Sequence, residues 1–302
     1  MASTIDSAFQ NSYHNEFEIQ FQQNGSRLRQ FVTVRPQTTR YDFWDRIGTV
    51  VFTERTTRHA PTTLEEVAHT RIGVSMRDYR NAIPFDNEDK LRMNLNDPRN
   101  AYARDQAMAL GQKFDSVVIA AATGTTTTEV AGVTGSETYT QATYGVAVNA
   151  VAPGAVAADS NLTIEKLIQA RSKLFTAEAV MEGEPLTFVL AQSQLDSLLR
   201  TTEVTNTDYN AVKALVTGQV NTFMGFNFVR TQLLAKDSNN VRTCLAFPKS
   251  AIIVGEADER TTRIDQRPDL NYTWQVWTQG TFGAARTWRE KVVAVLCDED
   301  IA

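Results

Sequence analysis

The feature that most limits how this chain can fold is a stretch at residues 101–122 that contains one glycine, Gly111, and no proline. Asp97-Pro98 before it matches a helix N-cap followed by proline in the first turn, and Gly124 after it matches a helix end. About 25 helical residues within 97–123 would be roughly 38 Å long, much longer than an average helix. One face carries apolar residues at helical spacing: Ala103, Ala107, Leu110, Phe114, Val117 and Ala121. We expect a spine core of Ala107, Leu110, Phe114 and Val117, with Leu110 and Phe114 buried beneath strands at residues 292–296.

Residues 36–85, ahead of that helix, predict a long β-hairpin. Residues 41–57 are rich in aromatic and β-branched side chains, and residues 69–79 alternate apolar with polar. Arms of roughly 12–15 residues would reach about 40–50 Å, and a two-stranded ribbon of that length is not stable alone in water. We expect the hairpin to lack a compact apolar face, to project from the body and to lie on a neighbouring subunit. Its arginines are then expected to meet acids of that subunit: Arg55, Arg58, Arg71, Arg77 and Arg80.

Residues 3–28 predict an amphipathic helix with an aromatic residue at every fourth position. The stripe consists of Phe9, Tyr13, Phe17 and Phe21. Because it precedes an irregular stretch, it can pack either in its own core or on another subunit, and the sequence leaves both open.

The rest of the chain mixes helices and strands. Helices are predicted at residues 163–177, 193–200 and 210–217, the first capped by Thr163 with Lys166 and Arg171 exposed. Strands are predicted at residues 186–191, 226–231, 243–247, 251–254, 272–281, 283–289 and 292–297. The architecture is α+β with an extended N-terminal part.

The charge balance argues against a protein that grips nucleic acid. The formal net charge is -5, whereas a nucleic-acid-binding domain carries clustered Lys and Arg. Arg outnumbers Lys 22 to 8, and no Lys precedes Lys90. Since Arg forms forked contacts with carboxylates and is preferred in interface ion pairs, this distribution indicates protein–protein contact in the first third.

Cysteine usage and the N-terminal sequence indicate a protein that stays in a reducing cytosol. Cys244 and Cys297 each lie in an apolar stretch, as buried thiols do. The first residues lack the basic patch and apolar run of a signal peptide.

Motifs of catalysis or cofactor binding are missing from the sequence. It has neither a phosphate loop nor a nucleophile elbow. His14, His59 and His69 lack the tight spacing of a metal site. We expect no catalytic, cofactor-binding or metal-binding residues, and a protein that is not an enzyme. The rival is an enzyme with an unfamiliar site, which a deep pocket with convergent titratable groups would favour.

The order of these parts resembles the major capsid proteins of tailed bacteriophages, the Hong Kong 97 type fold. The resemblance covers nearly the whole chain. GQVNTFMGFNFV (residues 218–229) is similar to the loop and strand of the family's axial domain, and AFPKSAIIV (246–254) to the strand that leaves it. One subgroup is similar at FWDR (43–46), RTTRHAP (55–61) and DKLRM (89–93).

The resemblance implies five parts. These are an N-terminal arm (1–35), an extended β-hairpin loop (36–85), a peripheral domain (86–161) with the spine helix at 97–123, an axial domain (162–246), and returning strands shared by both domains (247–302). It implies a structural subunit that self-assembles into hexamers and pentamers of an icosahedral capsid around double-stranded DNA, made in the host cytoplasm. The alternative within this fold is the shell protein of an encapsulin-like bacterial compartment.

The resemblance also implies partners. The chief partner is the chain itself, and a separate scaffolding protein, a portal and a decoration protein are expected beside it, without sequence-specific DNA binding or a membrane. A fused scaffolding segment is not expected. Some members crosslink covalently through a Lys on the extended loop, but residues 1–89 contain no Lys, so the shell would be held noncovalently.

Overall fold

The computed structural model describes residues 23, 25–54, 57–58, 64–85, 99–154, 156–200 and 222–300. Four sequence predictions lie outside these residues: the N-terminal aromatic stripe, the cap at residues 97–98, Arg55 and the helix at 210–217. The described helices are α1 (Arg99–Thr123), α2 (Gln141–Tyr144), α3 (Ile164–Thr176) and α4 (Gln192–Arg200). The described strands are β1 (Thr33–Pro36), β2 (Tyr41–Ile47), β3 (His69–Ser75), β4 (Arg77–Phe85), β5 (Thr126–Val130), β6 (Val133–Glu137), β7 (Leu186–Leu190), β8 (Thr222–Phe223), β9 (Phe226–Arg230), β10 (Val241–Pro248), β11 (Ile252–Arg267), β12 (Thr273–Arg286) and β13 (Val293–Asp298).

The spine helix is confirmed. Helix α1 has 25 residues and ends one residue before Gly124, whose N–H bonds to the carbonyl of Ala120 at 2.9 Å. Phe114 is buried as expected, while Leu110 and Val117 are half-buried against the same core and Ala107 is partly exposed.

The expected partner of the spine helix was wrong. Helix α1 packs against β12 and β11, and the Phe114 ring lies 5.4 Å from the ring of Phe282 in β12. Strand β13, which includes residues 293–296, pairs with β10 in another sheet and packs against α3. Residue spacing identifies the apolar face of a helix but does not specify which strand covers it.

A four-stranded sheet in the order β1-β11-β12-β4 lies along the spine helix. Strands β11 and β12 are 16 and 14 residues long and pair antiparallel almost throughout, with irregularities around Asp258. Strand β4 pairs with β12 from Arg77 opposite Phe282 to Phe85 opposite Trp274. Residues 77–85, which we expected in the extended loop, are therefore part of this long sheet, because β12 offers them a full-length pairing edge.

The hairpin itself consists of β2, β3 and the residues that connect them. These strands pair from Tyr41 opposite Ser75 to Ile47 opposite His69, and the sheet continues through β5 to β6. Each paired arm is 7 residues long, shorter than expected. The Gly48 N–H bonds to the Ala68 carbonyl at 2.9 Å, after which residues 49–54 and 64–67 continue outside any strand.

The third sheet, in the order β13-β10-β7-β9-β8, forms the centre of the largest hydrophobic core. All five residues of β7 are buried, which fits its apolar sequence between two pairing strands. Helix α3 begins as predicted at Thr163, whose hydroxyl accepts the Lys166 N–H at 3.4 Å. Lys166 itself is fully buried, so its predicted exposure was wrong.

Candidate functional site: an assembly surface

From the end of the paired strands onward, the hairpin continues as two limbs, residues 47–54 and residue 64. These limbs carry apolar side chains that the described part of the chain leaves exposed. Phe52 and Leu64 are each 96% exposed, and Val50, Val51 and Ile47 are more than half exposed. Exposed apolar surface concentrated in one segment is characteristic of an interaction site in a folded protein. The limbs at residues 47–54 and 64 therefore form a surface that requires a partner.

The base of the hairpin, in contrast, is fixed to its own subunit by the buried side chain of Arg46. Its Nη1 donates to the Thr287 carbonyl at 2.7 Å, its Nη2 to the Glu137 carboxylate at 3.1 Å, and its Nε to the Thr70 hydroxyl at 3.1 Å. The guanidinium also lies 4.3 Å from the ring centroid of Trp288. Side-chain exposure is 7% for Arg46 and 16% for Glu137, so solvent screens this ion pair weakly.

A small apolar cluster completes the attachment. Ile72 and Val74 from β3 pack with Ala285 from β12, and Trp44 packs against them from β2. The Arg35 guanidinium lies 4.8 Å from the ring centroid of the same Trp44. The expectation that the hairpin lacks a compact apolar face was therefore wrong for its base, while the apolar side chains of the limbs stay exposed and form no cluster of this kind.

The loop arginines are spread over three environments. Arg71 pairs within its own chain, with Asp45 at 2.7 Å and Glu129 at 3.9 Å. Arg77 and Arg80 are exposed on β4, and Arg58 is exposed in a turn. Arg71 is thus already paired within its own chain, while the other three arginines lie on accessible surface.

The N-terminal arm is attached to the spine helix through a buried carboxylate. Asp115 is fully buried and accepts hydrogen bonds from the Ser26 hydroxyl at 2.6 Å and the backbone N–H groups of Arg27 and Leu28 at 2.9 and 3.2 Å. The Gln23 amide also donates to it. These donors stabilise a buried carboxylate that forms no ion pair with the residues that the structure describes.

Gly111 explains why the arm can cross the helix at this point. A Cβ on Gly111 would lie 2.6 Å from the backbone of Gly25 and Ser26. The one glycine in the spine helix therefore permits close backbone approach, a role that its sequence position alone did not reveal.

Arg286 links the end of the spine helix to β6 of the hairpin sheet, where its Nη2 donates to the Glu137 carbonyl at 3.4 Å. It is 1% exposed, and its Nη1 donates to the carbonyls of Ala122 at 2.8 Å and Gly124 at 3.0 Å. Its guanidinium lies 5.4 Å from the ring centroid of Tyr139. Burial raises the pKa of Tyr139 to about 12, although the Ala294 N–H and Arg286 act in the opposite direction.

Two ionised groups stabilise the axial part of the molecule, and sequence reasoning missed both. The Lys166 ammonium donates to the carbonyls of Ser160 at 2.5 Å and Leu296 at 2.9 Å, and burial lowers its pKa. Glu299 pairs with Arg242 at 2.6 Å and Lys236 at 2.9 Å. Burial favours its neutral form, but hydrogen bonds from Arg242, Ser193, Gln194 and Lys236 outweigh burial and lower its pKa.

Within the described residues, no group of three or more His, Cys, Asp or Glu side chains is placed to hold a metal ion. In the same part of the chain, the helices are too short or too polar to span a membrane.

The sequence profile of the phage capsid protein family matches residues 5–299. The chain belongs to this family. Its fold is that of the Hong Kong 97 type major capsid proteins, as the order of its parts indicated. A phage capsid protein is a structural component of the virion, and it functions as one of many copies.

Solved structures extend the likeness over the whole chain at low sequence identity. A structure from Mycobacterium phage Che8 has a TM-score of 0.70 at 13% identity, covering 97% of this chain and 98% of that one. The capsid structure of the cyanophage P-SCSP1u has a TM-score of 0.69 at 16% identity, covering 98% and 94%. The capsid of cyanophage Pam1 has a TM-score of 0.69 at 12% identity, covering 99% of both chains. No curated protein sequence matches this chain.

These comparisons favour the phage shell over the bacterial compartment that the fold also allowed.

Proposed function

We propose that copies of this chain form the hexamers and pentamers of an icosahedral capsid that encloses double-stranded DNA. The observation that carries the proposal is the hairpin, whose limb exposes Phe52 and Leu64 while its base is held by Arg46. An anchored base fixes the direction of the limb, and an exposed apolar limb gains stability when a neighbouring subunit covers it. Burying a large apolar side chain contributes roughly 1.5–3 kcal/mol.

Charge supports enclosure of DNA without adhesion to it. The chain carries a formal net charge of -5, so the shell as a whole repels the phosphate backbone. A container of this kind holds DNA without reading its sequence.

Contacts between subunits are proposed to be noncovalent. Arg58, Arg77 and Arg80 are exposed and available to acids of adjacent subunits. One exposed pair contributes about 0–1 kcal/mol, but the contribution is repeated at every subunit of a closed shell. The first lysine of the chain is Lys90, so the hairpin lacks the lysine amine that a covalent crosslink of this type requires.

The proposed assembly takes place in the host cytoplasm with a separate scaffolding protein and a portal, and a decoration protein can be added to the finished shell. The aromatic stripe of the N-terminal arm is proposed to contribute to assembly. The five-part division of the chain is kept as a proposal, with residues 77–85 moved from the extended loop to the long sheet.

Electron microscopy of the expressed chain tests the proposal. Unaltered chains should form closed shells, whereas Phe52→Asp with Leu64→Asp should give folded subunits that do not close. Both side chains are 96% exposed, so the free energy of unfolding of the subunit should be unchanged. The control pair, Phe52→Leu with Leu64→Met, keeps the limb apolar and should assemble. Normal shells from the aspartate pair would contradict the role of the limb.

A further inference from the structure

A wide groove lies between the start of the described arm and the edge of the axial sheet. It has a volume of about 1240 Å³ and opens between residues 26–31 on one side and β9 on the other. Its apolar walls include Phe31, Leu190, Leu195, Phe228 and Val229. The groove is therefore able to receive apolar side chains from a chain segment.

The rim of the groove is cationic. Arg27, Arg29, Arg230 and Lys249 line it, and its described lining residues include no Asp or Glu. Arg29 is bound to Glu256, with N–O distances of 2.8 and 2.7 Å. In the part of the chain that the structure describes, Arg27, Arg230 and Lys249 form no ion pair, so three cations remain available beside the apolar walls.

Residues 1–22 have the complementary character. They contain three acids, Asp6, Glu16 and Glu18, and no Lys or Arg. They also contain the aromatic stripe at positions 9, 13, 17 and 21, which would extend about 18 Å along one face if the segment is helical. An acidic segment with one aromatic face matches a groove with apolar walls and a cationic rim.

The described chain borders the groove from Ser26 onward, and Gln23 before it is held at a fixed point. The Gln23 side chain accepts a hydrogen bond from the Thr231 hydroxyl at 3.2 Å, directly after Arg230 on the groove wall. Ser26 and Arg27 line the groove and are held by Asp115. Residues 1–22 of the same chain therefore start beside the groove and need no linker to reach it.

We propose that this groove binds residues 1–22 of its own chain, with the aromatic stripe against the apolar walls and Glu16 and Glu18 beside Arg230 and Lys249. The subunit then carries its arm across its own axial sheet. The contact lies within one subunit, so it can be tested without shells, and the stripe would contribute to assembly by fixing the arm on its own subunit.

Disulfide trapping on the full-length unassembled subunit tests the proposal. Phe17→Cys with Asn227→Cys places one thiol in the segment and one in the groove, while the native Cys244 and Cys297 are buried. Mild oxidation should produce a crosslink within one chain. Reversing the charges of the rim with Arg230→Glu and Lys249→Glu should lower the crosslink yield by at least about tenfold, since like charges then face each other. Adding Glu16→Lys and Glu18→Lys should restore it.

A matched control carries the same change of charge elsewhere. Arg200→Glu with Arg263→Glu alters two exposed arginines that do not line the groove, and it should leave the yield unchanged. Hydrogen exchange gives a second readout without added cysteines: Phe17→Asp should reduce protection of residues 226–230 in the full chain.

Three results would overturn the proposal. The first is the absence of the crosslink together with unchanged protection of residues 226–230. The second is a crosslink yield that does not change when the charges of the rim are reversed. The third is a crosslink that, in a mixture of isotopically heavy and light chains, joins heavy chains to light ones as well as like to like, since the occupant would then be a neighbouring copy.

Discussion

Arg46 provides the sharpest test of how the hairpin is held. Replacing it by Met keeps an apolar side chain beside Trp288 but removes the three hydrogen bonds that Arg46 donates to Glu137, Thr287 and Thr70. The Glu137 carboxylate is then left buried without this cation, and breaking a buried pair in this way costs about 3–5 kcal/mol. We expect urea denaturation of the unassembled subunit to show a loss of that size.

Arg71→Met is the matched control for this measurement. Arg71 pairs with Asp45 on the same two strands, but the two side chains are 54% and 69% exposed. A pair that water screens this well contributes less than about 1 kcal/mol. The two substitutions therefore remove the same charge from the same hairpin with different expected costs.

A double-mutant cycle assigns the cost to the ion pair. In Arg46→Met with Glu137→Gln, the buried charge is gone, so about 1–2 kcal/mol of the loss should be recovered. Hydrogen exchange should show faster opening of β2 and β3 in Arg46→Met, and micrographs should show fewer closed shells. If Arg46→Met costs no more than Arg71→Met, the base is not anchored as described.

Four further substitutions or conditions give defined outcomes. Phe114→Ala should cost about 3–5 kcal/mol in urea denaturation because it leaves a cavity beneath β12, and a loss below about 1 kcal/mol would exclude the spine as the central support. Gly111→Ala should destabilise the subunit by about 1–3 kcal/mol despite alanine's better helix propensity, because its Cβ would meet the arm backbone; a more stable variant would refute that contact. Tyr139 binds its proton more tightly folded than unfolded, so its contribution to stability should be constant below pH of about 10 and fall by about 2–3 kcal/mol as pH rises past about 12. Tyr139→Phe should remove that part of the slope. Arg58→Glu with Arg77→Glu should weaken shells without unfolding subunits. Because salt screens exposed ion pairs, shells of the unaltered chain should also become less stable as the salt concentration rises. Shells whose stability does not depend on salt would contradict arginine pairing.

The spine helix and the buried strand β7 were predictable because their signals are local. Helix α1 has apolar residues at helical spacing and a glycine just after it, and β7 is a short apolar run. Each signal lies within the element that it predicts.

The anchors were not predictable, because their roles depend on residues far away in sequence. Nothing near Arg46 distinguishes it from Arg58, yet its partners Glu137 and Thr287 lie 91 and 241 residues away. Lys166 occupies a helix position where lysine is usually exposed, and its partner carbonyl at Leu296 is 130 residues away.

Most of β11 was missed for a different reason. Residues 256–267 are rich in charged residues and threonine and show no alternation, since much of this stretch is exposed. Residues 256–267 form a strand because they pair with β12 over most of their length, and their own sequence pattern does not indicate that contact.

The long β11–β12 pair would have a mechanical consequence in the proposed capsid. If the shell encloses packed DNA, the DNA pushes it outward, and the resulting tension acts within the wall. Tension along these strands would load their ladder of hydrogen bonds in shear, so that all the bonds between residues 252–267 and 273–286 resist together. A force across the strands would instead break the bonds one after another. In the proposed shell the wall would therefore be strongest where tension follows the direction of the long sheet, and the spine helix packed on β12 and β11 would add stiffness along the same part of the wall.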